Sequence, residues 1–169
     1  MVKVYCASNA PNRFGVQLLI EKLHFIFSGL DIKGEVVSTW HKGGDRITTT
    51  FGKVITQDID ELMDADLLIA MYPYGNGARA EMNIGLGRDI PMIALIPPEF
   101  IIKWNAKTGW SDNFALAKFR TWEDVVYEGI NVSQFEQSYD CKHIIVSSFP
   151  DLRDAIDCVN TNFIGRTNE

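Results

Sequence analysis

The chain is predicted to fold as an α/β domain: a mostly parallel, five-stranded sheet with helices on both faces in three layers, of the Rossmann or flavodoxin-like kind. Three observations carry this. Short, continuously apolar runs alternate with longer segments of helical spacing. Pro/Gly clusters or acidic residues bound those runs. The runs lack the polar alternation of a strand with one wet face, so they read as strands covered on both sides. The 169 residues fit one domain, 1–169, and a domain of this size buries about 70% of its unfolded surface.

The first strand is Val2-Lys3-Val4-Tyr5-Cys6-Ala7. A helix over 11–27 follows, with Val16, Leu19, Ile20, Leu23, Phe25, Ile26 and Phe27 forming a broad apolar face and Gly29 ending it. A short strand over 36–39 leads into Trp40-His41-Lys42-Gly43-Gly44-Asp45, a polar, glycine-rich loop. The helix over 54–63 sets Ile55, Ile59, Leu62 and Met63 at near-helical spacing. The run Asp66-Leu67-Leu68-Ile69-Ala70-Met71-Tyr72 is the third strand, and Pro73-Tyr74-Gly75 opens a turn that ends in a helix from Gly77. A fourth strand over 91–96 is stopped by Pro97-Pro98. Residues 99–140 are rich in aromatics (Trp104, Trp110, Trp122) without clean periodicity. The last pair is a strand over 144–147 and a helix over 151–163.

Composition excludes several classes. A net charge of −6 with dispersed basic residues leaves no electrostatic footprint for a nucleic acid polymer or an anionic membrane. The apolar runs fall far short of the ~20 residues a membrane span requires. The first residues enter a strand directly, without a signal peptide's apolar core, so a cytoplasmic location is expected. Cys6, Cys141 and Cys158 are odd in number and far apart, which fits neither a disulfide framework nor a metal pattern. No metal or cofactor is expected.

Open α/β sheets place ligands in the crevice beyond the carboxyl ends of their strands. Three loops are expected to meet there: Ser8-Asn9-Ala10-Pro11-Asn12-Arg13 after the first strand, Trp40 and His41 after the second, and the 75–81 turn after the third. Glu81 is the leading candidate, a carboxylate just inside a helix N-terminus, where the dipole favours its ionised form by about 0.3–1 kcal/mol. Asp58 is a second carboxylate able to project the same way, and Tyr5 a phenol on the first strand. Such a cleft suits a small-molecule ligand. No Ser or Cys has a nucleophile-elbow context.

The ordered set Val4-Tyr5-Cys6-Ala7-Ser8 with Asn12-Arg13, Ser38-Thr39-Trp40-His41, Asp58, Asp64-Ala65-Asp66, the glycine-containing loop ending in Glu81, and Trp110-Ser111-Asp112-Asn113 resembles the nucleoside 2-deoxyribosyltransferase family, including the related deoxynucleoside monophosphate N-hydrolases. The resemblance covers roughly residues 1–120 and the final strand–helix pair. It implies a nucleophilic Glu81 that forms a covalent glycosyl-enzyme, with Asp58 holding the sugar or assisting proton transfer and Tyr5 orienting the nucleophile. It also implies a nucleoside or nucleotide pocket drawn from Ser8, Asn9, Arg13, Trp40, His41, Gly75, Gly77, Arg79, Ser111 and Asn113. The last two would reach into a neighbouring subunit, so a homo-oligomer, dimer or higher, is implied.

The chain departs from that pattern at two places. Asn83 follows Glu81-Met82 where the family has glycine, and Gly75 stands near the family's acidic contact to the sugar's primary hydroxyl. Glycine amides with Arg79, Ser8, Arg13 and Ser111 would suit a 5-phosphate better than a carboxylate would. Three other readings stay open. Gly75-Asn76-Gly77-Ala78-Arg79-Ala80 fits the relaxed dinucleotide pattern G-x-G-x-x-A, but it lies late in the chain. The stretch 73–81 resembles the P-G-G-x-G-T-x-x-E signature of lysine-decarboxylase-like phosphoribohydrolases, with two positions changed. A catalytically silent nucleotide-binding or sensing protein on the same fold is the third.

Overall fold

A computed structural model describes residues 1–42, 51–98 and 144–164 of the chain. In chain order the elements are β1 (Val2–Ala7), α1 (Arg13–Gly29), β2 (Gly34–Val36), α2 (Phe51–Met63), β3 (Leu67–Met71), α3 (Asn76–Gly87), β4 (Met92–Leu95), β5 (Ile144–Ser147) and α4 (Leu152–Val159). Short 3₁₀ turns at Ala10–Asn12 and Trp40–Lys42 follow β1 and β2, and a π turn, Asn160–Ile164, follows α4. The class is α/β. The strands form one sheet in the order β2-β1-β3-β4-β5, and every pairing is parallel.

The apolar runs explain themselves in this order. β1, β3 and β4 each have a strand on both sides and side chains packed on both faces, so Val4, Tyr5, Cys6 and Ala7, Leu67 to Ala70, and Met92 to Leu95 are all buried. Successive residues divide between two cores. Tyr5, Ala7, Leu68, Ala70, Met92 and Ala94 meet Leu62, Ala78 and Met82 from α2 and α3. Val4, Cys6, Leu67, Ile69, Ile93 and Leu95 meet Val16, Leu19, Leu23, Leu152 and Ile156 from α1 and α4.

Several boundaries differ from the sequence expectation. β2 pairs over Gly34–Val36 rather than 36–39. After Val37 donates to the Val4 carbonyl (2.9 Å), the next ladder position is taken by a side chain: Ser38 Oγ accepts from Cys6 N–H at 3.1 Å. On α1, Phe25 is 79% exposed, in line with Phe14 and Leu18 on the outer face. The run Phe25-Ile26-Phe27 sweeps about 200° of helix surface, more than one core-facing stripe accommodates. Ile26 and Phe27 are buried and Phe25 is not. Gly29 lies within α1, and Asp31 at φ 54° takes the left-handed position just past it. On α2, Leu62 is buried, while Ile59 and Met63 stay partly exposed. α3 begins at Asn76, so most of the expected glycine turn is helix: Arg79 N–H donates to the Gly75 carbonyl at 3.0 Å.

Candidate active site

The strand order reverses direction between β1 and β3. The chain leaves β1 toward β2 on one side, then returns across β1 to β3 and continues to β4 and β5. That reversal is where crevices form at the carboxyl edge of open α/β sheets. Tyr5 from β1 and Glu81 from α3 meet beside it.

Their contact follows from local packing. Tyr5 points to the α2/α3 side of the sheet and is fully buried. α3 approaches closely at two small residues it turns toward the strands, on either side of the buried Met82: Ala78 is buried, and a Cβ on Gly85 would stand 2.9 Å from Leu68 Cδ2. Glu81 lies one helical turn before Gly85 on the same face. Tyr5 OH donates to Glu81 Oε1 at 2.7 Å. Burial raises the Tyr5 hydroxyl far above its ordinary pKa, and the Glu81 charge, the hydrogen bond to it, and the charges of Asp58 and Glu61 push the same way. The phenol is therefore a permanent donor. Glu81 itself is half-buried, neither free in bulk solvent nor sealed in the core.

One electrostatic expectation is corrected. Glu81 is the sixth residue of α3, which starts at Asn76 and has no acidic residue in its first turn. The dipole's influence fades within that first turn. The carboxylate is positioned by Tyr5, not by the helix terminus.

The loop after β1 packs against the start of α3. Ser8 Oγ donates to the Met71 carbonyl (3.2 Å) and accepts from Asn12 Nδ2 (3.0 Å), which ties β1's exit to β3's end. Gly75 is required by closeness: a Cβ there would lie 2.9 Å from Asn9 Cβ. Asn9 Oδ1 and Arg79 Nε are buried polar atoms with no hydrogen-bond partner. Buried polar atoms are normally paired, so both are available to a bound group. Gly77 has open space around it. Arg13 does not join the cluster: its guanidinium sits 5.0 Å over the exposed Phe14 ring. Asn83 is half-buried on α3, and the close approach to the sheet is made by Gly85 two residues later.

The turn after β2 packs against the exit of β1. Trp40 Nε1 donates to the Cys6 carbonyl at 2.7 Å, and His41 is buried edge-on to Trp40, with ring centroids 6.0 Å apart. Asp58, on α2, is half-buried and acts electrostatically on Tyr5. Sequence reasoning missed Glu61, one turn further along α2. Its Oε2 accepts from Thr39 N–H (2.9 Å) and its Oε1 from Thr39 Oγ1 (2.6 Å). The only sequence signal was Gln57 and Glu61 at helical i,i+4 spacing beside Asp58, which reads equally as a solvated face. Ser111 and Asn113 lie outside the described residues.

Among the described residues, no group of three or more His, Cys, Asp or Glu side chains is arranged to hold a metal ion, and no helix is long and apolar enough to cross a membrane. The arrangement offers a buried phenol bonded to a half-buried carboxylate, with two further carboxylates, Asp58 and Glu61, acting on the same phenol.

No family model matches the chain, and no curated protein matches it. Among solved structures, it is similar to a conserved protein from Enterococcus faecalis V583. That likeness has a TM-score of 0.55 at 16% sequence identity and covers 93% of this chain and 98% of the other. It shows the fold alone.

Proposed function

We propose that the chain cleaves, or transfers at, the N-glycosidic bond of a 2-deoxynucleoside or its 5-monophosphate, working from a three-layer, five-stranded Rossmann-like scaffold. The observation that carries the reading is the 2.7 Å bond from Tyr5 OH to Glu81 Oε1 at the strand-order reversal. A carboxylate held at one oxygen by a phenol that does not ionise is oriented without being neutralised by it. Glu81 Oε2 attacks the anomeric carbon and the C–N bond breaks. Its electron pair goes to the base, and Asp58 or water supplies the proton that the departing base requires. Water or a second base then attacks the glycosyl-Glu81 ester, expelling the carboxylate and retaining configuration. Tyr5 serves as orienting donor throughout.

The residues proposed to line the pocket are Asn9, Arg79, Gly75 and Gly77 on the α3 side and Trp40 and His41 on the other, while Ser8 holds the loop through Met71 and Asn12. Arg13 stacks on Phe14, and Arg79 is, among the described residues, the cation proposed for a 5-phosphate. The family resemblance adds a homo-oligomer, with Ser111 and Asn113 completing a neighbour's site, and the sequence reading adds a cytoplasmic location. A silent nucleotide-binding protein is the second reading, favoured by the unpartnered Asn9 Oδ1 and Arg79 Nε, which bind a ligand without requiring chemistry.

Base release from each deoxynucleoside and deoxynucleotide, with and without a free acceptor base, tests this. Release without acceptor marks a hydrolase, and exchange that needs acceptor marks a transferase. Binding without turnover supports the second reading. Glu81→Gln is expected to keep affinity and lose turnover by about 10³-fold or more. An equally active Glu81→Gln protein removes Glu81 from the role.

A further inference from the structure

We propose that Glu61 is a positioning residue that locks the Trp40–Lys42 turn onto α2 and so fixes the separation between Asp58 and the aromatic wall of the candidate pocket. The proposal rests on the reading of that pocket as the functional site. Glu61 accepts from both donors of one residue, the Thr39 backbone N–H at 2.9 Å and the Thr39 hydroxyl at 2.6 Å. Gln57 Nε2 closes the arrangement, donating to Thr39 Oγ1 (2.9 Å) and to Glu61 Oε1 (2.8 Å).

This is a fork on a single anchor point, and the anchor immediately precedes Trp40 and His41. Two charge-assisted bonds to the same residue fix direction as well as distance. On the helix side, Asp58 lies between Gln57 and Glu61, so the element that carries the second carboxylate is the element the fork grips. On the turn side, Trp40 is tied to β1 through the Cys6 carbonyl at 2.7 Å. Turn, helix and strand are thereby joined to one another, and that strand is the one that carries Tyr5. The fork also gives the Thr39 N–H its acceptor past the end of the β2 ladder. β2 has already ended at Val36, and Ser38 Oγ has satisfied the Cys6 N–H. What remains to be held is the turn itself.

Glu61→Gln keeps size but offers one oxygen to three donors, the Thr39 N–H, the Thr39 hydroxyl and Gln57 Nε2. Thr39→Val removes the hydroxyl and keeps the N–H. In the Glu61→Gln protein, hydrogen exchange at the Thr39 amide is expected to rise about tenfold or more while β1 and β3 amides stay protected. Steady-state kinetics are expected to show KM raised about tenfold with kcat near wild type, the opposite of Glu81→Gln. The double variant with Thr39→Val should cost no more than Glu61→Gln alone, because both act on one clamp. Unchanged exchange at Thr39 overturns the clamp. Raised exchange with unchanged KM overturns its role in the pocket, and a fall in kcat matching that of Glu81→Gln makes Glu61 catalytic instead. If the wild-type protein turns over no nucleoside or nucleotide, the proposed function fails separately, and the exchange result still decides whether Glu61 holds the turn.

Discussion

Tyr5→Phe isolates the interaction on which the proposed chemistry depends. It removes one oxygen from a fully buried side chain, and with it the 2.7 Å bond to Glu81 Oε1. A hydrogen bond to a charged group contributes about 1.5–3 kcal/mol. Glu81 is half-buried, so water replaces part of the lost donor, and the lower end applies, about 1.5 kcal/mol. If that energy serves to orient the nucleophile, kcat falls about tenfold, since each 1.36 kcal/mol of barrier is a factor of ten. KM should hardly move, because a residue with no exposed surface does not itself touch substrate. Folding stability should drop by about 1.5 kcal/mol for the same loss of a donor. Single-turnover base release and urea denaturation read the two effects independently. A Tyr5→Phe protein with wild-type kcat and an unmoved denaturation midpoint would refute the reasoning, since the bond would then be orienting nothing.

Gly85→Ala should lower the melting temperature despite alanine's better helix propensity. Its Cβ would meet Leu68 Cδ2 at 2.9 Å, and overpacking costs about 1–3 kcal/mol against about 1 kcal/mol gained. Pairing it with Leu68→Val should restore most of the loss in a thermal melt. Alkaline stability should depend on Tyr5, whose hydroxyl is raised by burial and then by the Glu81 charge. A raised folded pKa gives stability that is complete below the free phenol's value of about 10 and lost as pH climbs above it. Denaturation measured across pH 9–12 should therefore fall less steeply for Tyr5→Phe than for wild type. Burial pushes the Cys6 thiol up to about 12, so iodoacetamide at about pH 8 should leave Cys6 unlabelled in native protein and label it after denaturation, as read by peptide mass mapping.

The central strands were legible because burial on both faces removes any need for polar alternation, so Leu67 to Met71 could be read as a strand from its apolar content alone. The pairing of Tyr5 with Glu81 was implied by the family resemblance and not by spacing; the two side chains meet at 2.7 Å. Interactions in which a side chain stands in for backbone were not legible. Ser38 looked like the third residue of a strand, yet its hydroxyl takes the place of the ladder and ends it. Phe25 looked like core because apolar content does not report which way a helix turns. Arg13 looked like an anion contact, and its guanidinium found an aromatic ring beside it instead. Glu61 was invisible for the most general reason: its meaning comes from Thr39, 22 positions away in sequence, and neither residue is unusual alone.

The way the second turn meets β1 has a consequence for solubility. Beyond Val4, the side of β1 that β2 no longer covers presents both polar groups of Cys6. The Ser38 hydroxyl takes the N–H and the Trp40 indole takes the carbonyl. Those two side chains plug what would otherwise be a bare stretch of strand able to template association with another chain. The segment proposed to wall the pocket is thus also the guard on an incomplete sheet margin. A substitution that frees it for broader ligand acceptance would carry a penalty in self-association, visible as turbidity before any loss of fold.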